Sequence, residues 1–315
     1  MFKQSFLLPE TFHVAAVQVG TVWTNPESPR EIDSLATGNP TDIEKWLTDL
    51  STEEKVALCN DNRVQTQVLY GEAILVTEVK GDWARIIIPS QPSKKDENGY
   101  PGWVPLYQLK EVKRDEWLRP ETAAVTEKHV WLEDESGDKI IKLSYMTCLP
   151  VAKKEESRVA VHTPHGKGYL PREHIAIFPT DKGGKLGDGL SIIKAGEPYI
   201  GLDYLWGGMS SFGYDCSGFA YAMHKANGFQ ISRDASDQAM HGKEIPIDQL
   251  KPGDLLFFAY EEGKGRIHHV GFYYGDGKML HSPMTGRGIE IVCLADTKYE
   301  RELCIARRYW GREPE

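Results

Sequence analysis

Asp215-Cys-Ser-Gly-Phe-Ala-Tyr-Ala-Met-His-Lys-Ala-Asn227 reads as a helix. Phe219, Ala220 and Met223 share one face, and Gly228 follows at the position past a helix end that favours glycine. Downstream the period shortens to that of strands. Asp254-Leu-Leu-Phe-Phe258, His269-Val-Gly-Phe-Tyr-Tyr274, Lys278-Met-Leu-His281, Gly288-Ile-Glu-Ile-Val292 and Ile305-Ala-Arg-Arg-Tyr309 read as antiparallel strands joined by turns. A helix followed by a run of strands predicts an α+β arrangement.

Upstream, Asp181-Lys-Gly-Gly-Lys-Leu-Gly-Asp-Gly189 is a glycine-rich linker and the clearest boundary. Before it the pattern is all strand and turn. Val64 to Val68, Ala73 to Thr77, Trp83 to Ile88 and Gly102 to Pro105 are strand-like, with a turn at Gly81-Asp82 and a polar loop from Gln91 to Asn98. Thr122 to Val125, Val130 to Leu132, Lys139 to Leu143 and Arg158 to Val161 repeat that rhythm. Gly166-Lys-Gly-Tyr-Leu-Pro171 echoes Gly99-Tyr-Pro-Gly-Trp-Val-Pro105, which predicts two copies of one small β-barrel. Val14 to Val22 reads as a strand completing the first barrel. Thr41 to Leu50 and Thr52 to Leu58 read as helices inserted in it, with Thr41/Glu44 and Thr52/Lys55 at capping-box spacing, half matched. The expected domains are 1–112 for the first barrel with its helical insertion, 113–180 for the second, and 181–315 for the α+β domain.

A chain of 315 residues fits two or three domains of the usual size. The 40% hydrophobic content, with eight Trp, fourteen Tyr and ten Phe, is that of a folded protein. A net charge of −9 argues against nucleic acid and against anionic membrane surfaces as partners. The N-terminus, Met1 to Glu10, has one Lys and a short apolar run cut by Pro9, without the apolar core of a signal peptide. The expectation is a cytoplasmic bacterial protein; a secreted or cell-wall location follows if a leader has been removed. Five cysteines, none in a CxxC or CxxxH pattern, suggest neither a disulfide framework nor a zinc site. Cys59, Cys148, Cys293 and Cys304 sit among apolar neighbours and read as plain buried thiols.

Cys216 is different. At the N-terminus of a helix a thiol meets the positive end of the macrodipole, which favours thiolate, and the free N–H groups of the first turn suit an oxyanion. The plain alternative is a buried thiol beside an Asp N-cap. A thiolate nucleophile needs a base and the base needs orienting. His268 and His269 are adjacent on a strand, so they face opposite ways and only one can face Cys216. His281 follows twelve residues after His269, beyond the turn Gly275-Asp-Gly277. A hairpin would set the two on neighbouring strands, with His281 holding the ring of His269. His268 reads as a solvent-facing or packed residue.

These motifs carry a resemblance. Tyr204-x-Trp206-Gly-Gly208, Asp215-Cys-Ser-Gly218, Arg233-Asp234-Ala-Ser236, Lys251-Pro-Gly-Asp254-Leu, His269-Val-Gly271 and His281 stand in the order and spacing of NlpC/P60 cysteine peptidases, which they resemble across about 190–315. The resemblance implies a papain-like α+β core, with Cys216 as nucleophile, His269 as base, His281 as third polar residue and Tyr204 beside the nucleophile, a candidate oxyanion donor. Trp206 is either core packing or a wall of the site, and Asp254 reads as a turn before a strand. Tyr70-Gly-Glu72, Gly81-Asp-Trp83 and Gly102-Trp-Val-Pro105 resemble bacterial SH3 (SH3b) domains.

Two SH3b domains before an NlpC/P60 domain resemble γ-D-glutamyl-L-diamino-acid endopeptidases of the YkfC or dipeptidyl-peptidase VI type. These act on free murein peptides such as L-Ala-γ-D-Glu-L-Lys or its meso-diaminopimelate counterpart and require an N-terminal L-Ala. A desolvated ammonium needs a carboxylate or several acceptors. Asp234 is the main candidate, its alternative being a helix N-cap. Glu72 and Tyr107 are further candidates, their alternative being a solvated barrel rim. Ser217 and Ser236 are candidates for the D-Glu carboxylate or substrate backbone, and Asp215 for shaping the site. No metal or organic cofactor is implied. The rival readings are a secreted peptidoglycan hydrolase anchored by SH3b domains and a non-catalytic wall-binding module.

Overall fold

The computed structural model describes residues 8–311. Met1 to Leu7, on which part of the signal-peptide expectation rests, lie outside the described residues. The chain forms two compact units. The first runs to Gly184 without Gln91–Lys94 and takes in Ser210–Phe212; the second holds the rest, including Gln91–Lys94. The break at Gly184 falls inside the expected linker.

The first unit contains two barrels. One is built from β1 (Thr11–Ala15), β2 (Val19–Trp23), β3 (Val64–Leu69), β4 (Ala73–Lys80), β5 (Trp83–Ile88), β6 (Tyr100–Pro105) and β7 (Leu109–Lys113). The other uses β8 (Glu121–Val125), β9 (His129–Glu133), β10 (Lys139–Ser144), β11 (Cys148–Lys154), β12 (Arg158–Thr163), β13 (Gly166–Pro171) and β14 (Ile175–Pro179). Their strand orders are β3-β2-β6-β5-β4-β1-β7 and β10-β9-β13-β12-β11-β8-β14, the same order displaced by seven strands. The echo between Pro105 and Pro171 is thus a structural repeat, each proline ending the sixth strand before a 3-10 turn.

Alternation explains the packing. Ala84, Ile86 and Ile88 of β5 point into one core with Val22, Val68 and Val104. The second core is built from residues such as Val125, Leu132, Leu149, Val161 and Leu170, and it also takes in Tyr70 of the first barrel. The Tyr70 hydroxyl lies 2.8 Å from His165 Nδ1 of the second barrel.

Several expectations need correction. Val14 to Val22 is not one strand: β1 and β2 are separate, and between them Ala16 N–H bonds Gln108 O at 2.7 Å instead of continuing a ladder. β11 contains Pro150, which lowers its score as a strand, yet it pairs with β8 and β12. The inserted helices are α1 (Ser34–Thr37), α2 (Ile43–Asp49) and α3 (Thr52–Asn60). Their caps are displaced by one residue: Asp42 caps α2, and Ser51 with Glu54 forms a complete capping box on α3. A short α4 (Arg114–Trp117) leads into the second barrel. Cys293 and Cys304 are exposed, not buried, because alternation along a strand turns every second residue outward whatever its sequence neighbours.

The second unit's first helix is α5 (Gly189–Gly196); the short strands β15 (Met209–Ser210), whose Ser210 counts with the first unit, and β16 (Gly213–Tyr214) precede α6 (Cys216–Ala226). After α7 (Ala235–Gln238) comes an antiparallel sheet of β17 (Lys243–Glu244), β18 (Leu255–Ala259), β19 (Ile267–Gly275), β20 (Lys278–His281), β21 (Glu290–Cys293) and β22 (Leu303–Arg308). Its order is β17-β22-β18-β19-β20-β21. Two further short helices, α8 (Tyr260–Gly263) and α9 (Lys298–Glu302), lie between strands. The helix α6 packs on β19, with Phe219 edge-on to Phe272 at 5.6 Å. The β19–β20 turn has both Asp276 (φ 50°) and Gly277 (φ 68°) in the left-handed region, the signature of a type I′ hairpin. Among the described residues, no helix is long and apolar enough to cross a membrane.

Candidate active site

The position of Cys216 is fixed by a buried polar cluster. Asp215 caps α6: its Oδ1 accepts from Gly218 N–H at 2.7 Å and from Ser217 Oγ at 3.0 Å. Arg233, only 1% exposed, donates to Asp215 Oδ2 at 2.6 Å and to Ser217 Oγ at 2.8 Å. Gln238 Nε2 adds bonds to Ser217 O and Ser232 O at 3.0 and 2.8 Å. A buried carboxylate is tolerated here because it is both paired and hydrogen-bonded. Asp215 therefore shapes the turn that carries Cys216. The proton of Ser217 is committed to Asp215 in this arrangement.

The glycines on either side of Cys216 have a steric reason. A Cβ on Gly218 would stand 2.1 Å from Gly208 O, and one on Gly208 would stand 2.3 Å from Gly213 O. Both clashes are with backbone, which cannot give way cheaply. Gly208→Ala is expected to destabilise the protein by about 1–3 kcal/mol; an unchanged denaturation midpoint would show that this turn tolerates a side chain. Tyr204 is buried and forms an isolated bridge with Tyr214, two residues before Cys216, while its N–H bonds Arg287 O at 3.0 Å. Trp206 is partly buried.

His269 lies on β19 and is 4% exposed. Its Nε2 is 2.8 Å from Nδ1 of His281, which is fully buried on β20. The hairpin expected from spacing is thus present. Gly271 clears the diagonal between the rings: a Cβ there would meet Met279 Sδ at 2.4 Å and His281 Cβ at 2.9 Å. With Nε2 engaged, Nδ1 is the other ring nitrogen of His269. His268 faces the other way, stacked on Tyr260 at 4.2 Å and 3.3 Å from Glu302.

Two neighbours escape sequence reading. Tyr299 on α9 packs its ring against both histidines, at 5.7 Å from His269 and 5.1 Å from His281. Glu290 on β21 is the cross-strand partner of His281, and its Oε1 lies 3.5 Å from His281 Nε2. The only sequence signal is an acidic residue inside an otherwise apolar strand, Ile289-Glu-Ile-Val292.

Electrostatics differ from the sequence expectation. Burial, then the carboxylate of Asp215, push the half-buried Cys216 thiol up to about 12, against the N–H groups of Val270 and Ser217 and the Arg233 guanidinium. Burial likewise holds both histidines well below the ordinary imidazole value, with His281 opposing a charge on His269. Burial thus disfavours a lone thiolate at Cys216 and a lone imidazolium at His269 or His281.

Asp234 precedes α7, yet its side chain makes no capping bond. Ser236 accepts from Lys94 Nζ at 2.9 Å and donates to Asp237 at 3.3 Å. Asp254, fully buried, accepts from Arg308 Nε and Nη2 at 2.6 and 2.7 Å and anchors β22. Glu72 and Tyr107 belong to the first unit. There Glu72 accepts from Leu69 N–H at 2.9 Å and from Ser90 Oγ. Tyr107, half exposed, donates its hydroxyl proton to Thr37 O at 2.8 Å.

Residues 201–308 match the NlpC/P60 family, and residues 125–178 match the YKFC SH3b2 domain. The chain is 47% identical over 296 residues to a γ-D-glutamyl-L-lysine dipeptidyl-peptidase of Bacillus subtilis, covering 94% of this chain and 98% of that protein. It is 35% identical over 297 residues to the Bacillus cereus protein of the same name, covering 93% and 89% of the two. A crystal structure of an NlpC/P60 family protein from Bacillus cereus superposes with a TM-score of 0.91 at 35% identity, over 95% of this chain and all of that one. With the Cys-His-His set and both barrels falling inside that likeness, the chain belongs to the NlpC/P60 family of cysteine peptidases.

Proposed function

We propose that this enzyme hydrolyses the γ-D-glutamyl-L-diamino-acid bond of free murein peptides that begin with L-Ala, in the cytoplasmic recycling of cell-wall peptides. The observation that carries the reading is the end-to-end likeness, through both barrels, to two γ-D-glutamyl-L-lysine dipeptidyl-peptidases.

In this reading the Cys216 sulfur attacks the γ-carbonyl carbon as its proton moves to His269 Nδ1. The tetrahedral oxyanion is held by N–H groups of the first turn of α6, with Tyr204 as a further donor. His269 then gives the proton to the leaving amine of the diamino acid, leaving a thioester on Cys216. Water, deprotonated by His269, hydrolyses the thioester and restores the thiol. Asp234 takes the N-terminal ammonium. Ser236, beside the Lys94 ammonium, is the serine proposed for the D-Glu carboxylate.

The test compares L-Ala-γ-D-Glu-L-Lys with the same peptide acetylated on alanine. Cleavage of the free peptide alone, at the γ-glutamyl bond, is the expected result. Cleavage of both, together with activity on whole sacculi, would favour the wall-anchored hydrolase. Asp234→Ala is expected to lower kcat/KM for the free peptide by about 10–100-fold, the worth of a hydrogen bond to a charged group. It should leave the acetylated peptide nearly unaffected. An equal loss on both would mean that Asp234 does not read the amine.

A further inference from the structure

A base that must accept a proton at Nδ1 has to carry its own proton at Nε2, and nothing within His269 enforces that choice. The 2.8 Å contact between His269 Nε2 and His281 Nδ1 holds one proton, which belongs to either ring. If His281 supplies it, His269 is protonated at Nδ1 and cannot act as base. If His269 supplies it, His281 carries its proton at Nε2 and His269 Nδ1 is open. The outcome is decided at the far side of His281.

His281 Nε2 and Glu290 Oε1 are both buried, and neither has a hydrogen-bond partner among the described residues. They face each other at 3.5 Å, long for a hydrogen bond but close for a charge acting on an N–H dipole. Register makes the pairing unavoidable: His281 and Glu290 are direct cross-strand partners on β20 and β21. The other carboxylate oxygen is held by Arg287 Nη2 at 2.7 Å. A carboxylate beside Nε2 favours the tautomer with its proton there.

We propose that Glu290 is a positioning residue that selects the tautomer of His281, and through it the tautomer in which His269 can serve as base. The chain of influence runs from Arg287 to Glu290, His281 and His269 and ends at Cys216. It rests on the reading of His269 as the base. It explains why a neutral histidine suffices in the third place: polarised by a carboxylate one step further out, it does what a carboxylate does when it contacts the base directly.

The test reads the ring protons directly. Full-length protein labelled with 15N in histidine is examined by long-range 1H–15N correlation above pH 7, with signals assigned by single substitutions. The wild type is expected to show both His269 and His281 protonated at Nε2. In Glu290→Ala, both should shift toward the Nδ1–H form, and kcat should fall by about 10–100-fold with little change in KM. Glu290→Gln, whose amide oxygen still accepts from Nε2–H, should keep the tautomers and recover part of kcat, while Glu290→Leu, which removes the acceptor and keeps the bulk, should shift them as alanine does and stands in for the alanine variant should that fail to fold. The proposal is overturned by a wild-type His269 protonated at Nδ1. It is equally overturned if Glu290→Ala leaves the tautomers unchanged, whatever its activity, and in that case the assignment of the hydrolytic reaction stands untouched.

Discussion

Cys216→Ala is expected to remove turnover, lowering kcat by roughly 10⁵–10⁶-fold, and His269→Ala to cost nearly as much. In the proposed reaction the two side chains perform one event. Burial and Asp215 push the thiol up, so in the proposed reaction it attacks only as its proton leaves. The acceptor, a buried imidazole held below its ordinary value, is ready to accept because it is neutral. Neither residue retains a function without the other, so the double substitution should be no worse than either single one. Measured as kcat on L-Ala-γ-D-Glu-L-Lys, an additive double-mutant loss would mean that the residues act in separate steps. Full hydrolysis by Cys216→Ala would remove the cysteine-peptidase reading altogether.

The second large effect is acid lability of the catalytic unit. His224, inside α6, is buried, with Nδ1 bonded to Ala220 O at 2.8 Å and Nε2 without a partner. Burial lowers it from 6.5 to about 4. The unfolded chain therefore takes up this proton first as pH falls. The full stability is present above pH 6.5 and is lost progressively down to about 4, a loss of about 3 kcal/mol from this one residue. His269 and His281, lowered in the same direction, add to it. Urea unfolding midpoints measured from pH 8 to pH 4.5 should fall steeply below 6.5. His224→Phe should flatten part of that slope, because the ring already packs between Phe229, Phe272 and Tyr309. A profile equally steep in the variant would place the acid sensitivity elsewhere.

What the sequence reveals here depends on how local the information is. The nucleophile's helix, its cap and its closing glycine lie within fourteen residues, and the hairpin joining His269 to His281 is announced by Gly275-Asp-Gly277. The barrel repeat is legible because both copies end their sixth strand with the same Gly-aromatic-aliphatic-Pro phrase. Legibility fails where tertiary context overrides local rules. β11 is hidden by Pro150, and the caps of α2 and α3 slip by one because Asp42 and Ser51 compete with their threonine neighbours. Glu290 and Tyr299 come from elements whose distance from His269 only folding removes. The direction of the Cys216 shift is misjudged for a similar reason: the helix terminus is visible in sequence, the burial around it is not.

Gln91–Lys94, written into the connection between β5 and β6, folds with the catalytic unit. Pro92 O accepts the N–H of Arg233 at 2.9 Å, and Lys94 N–H and Nζ each reach Asp237 at 3.0 Å. The guanidinium of that same Arg233 clamps Asp215 and so the nucleophile's turn. The hydrolase is thus discontinuous in the gene. A cut at the linker would yield a fragment carrying every proposed catalytic side chain but lacking the four-residue splint that bonds Arg233 N–H and Asp237. Transplanting this domain onto other scaffolds therefore requires replacing that splint, which makes the barrels part of its inheritance and not only its passengers.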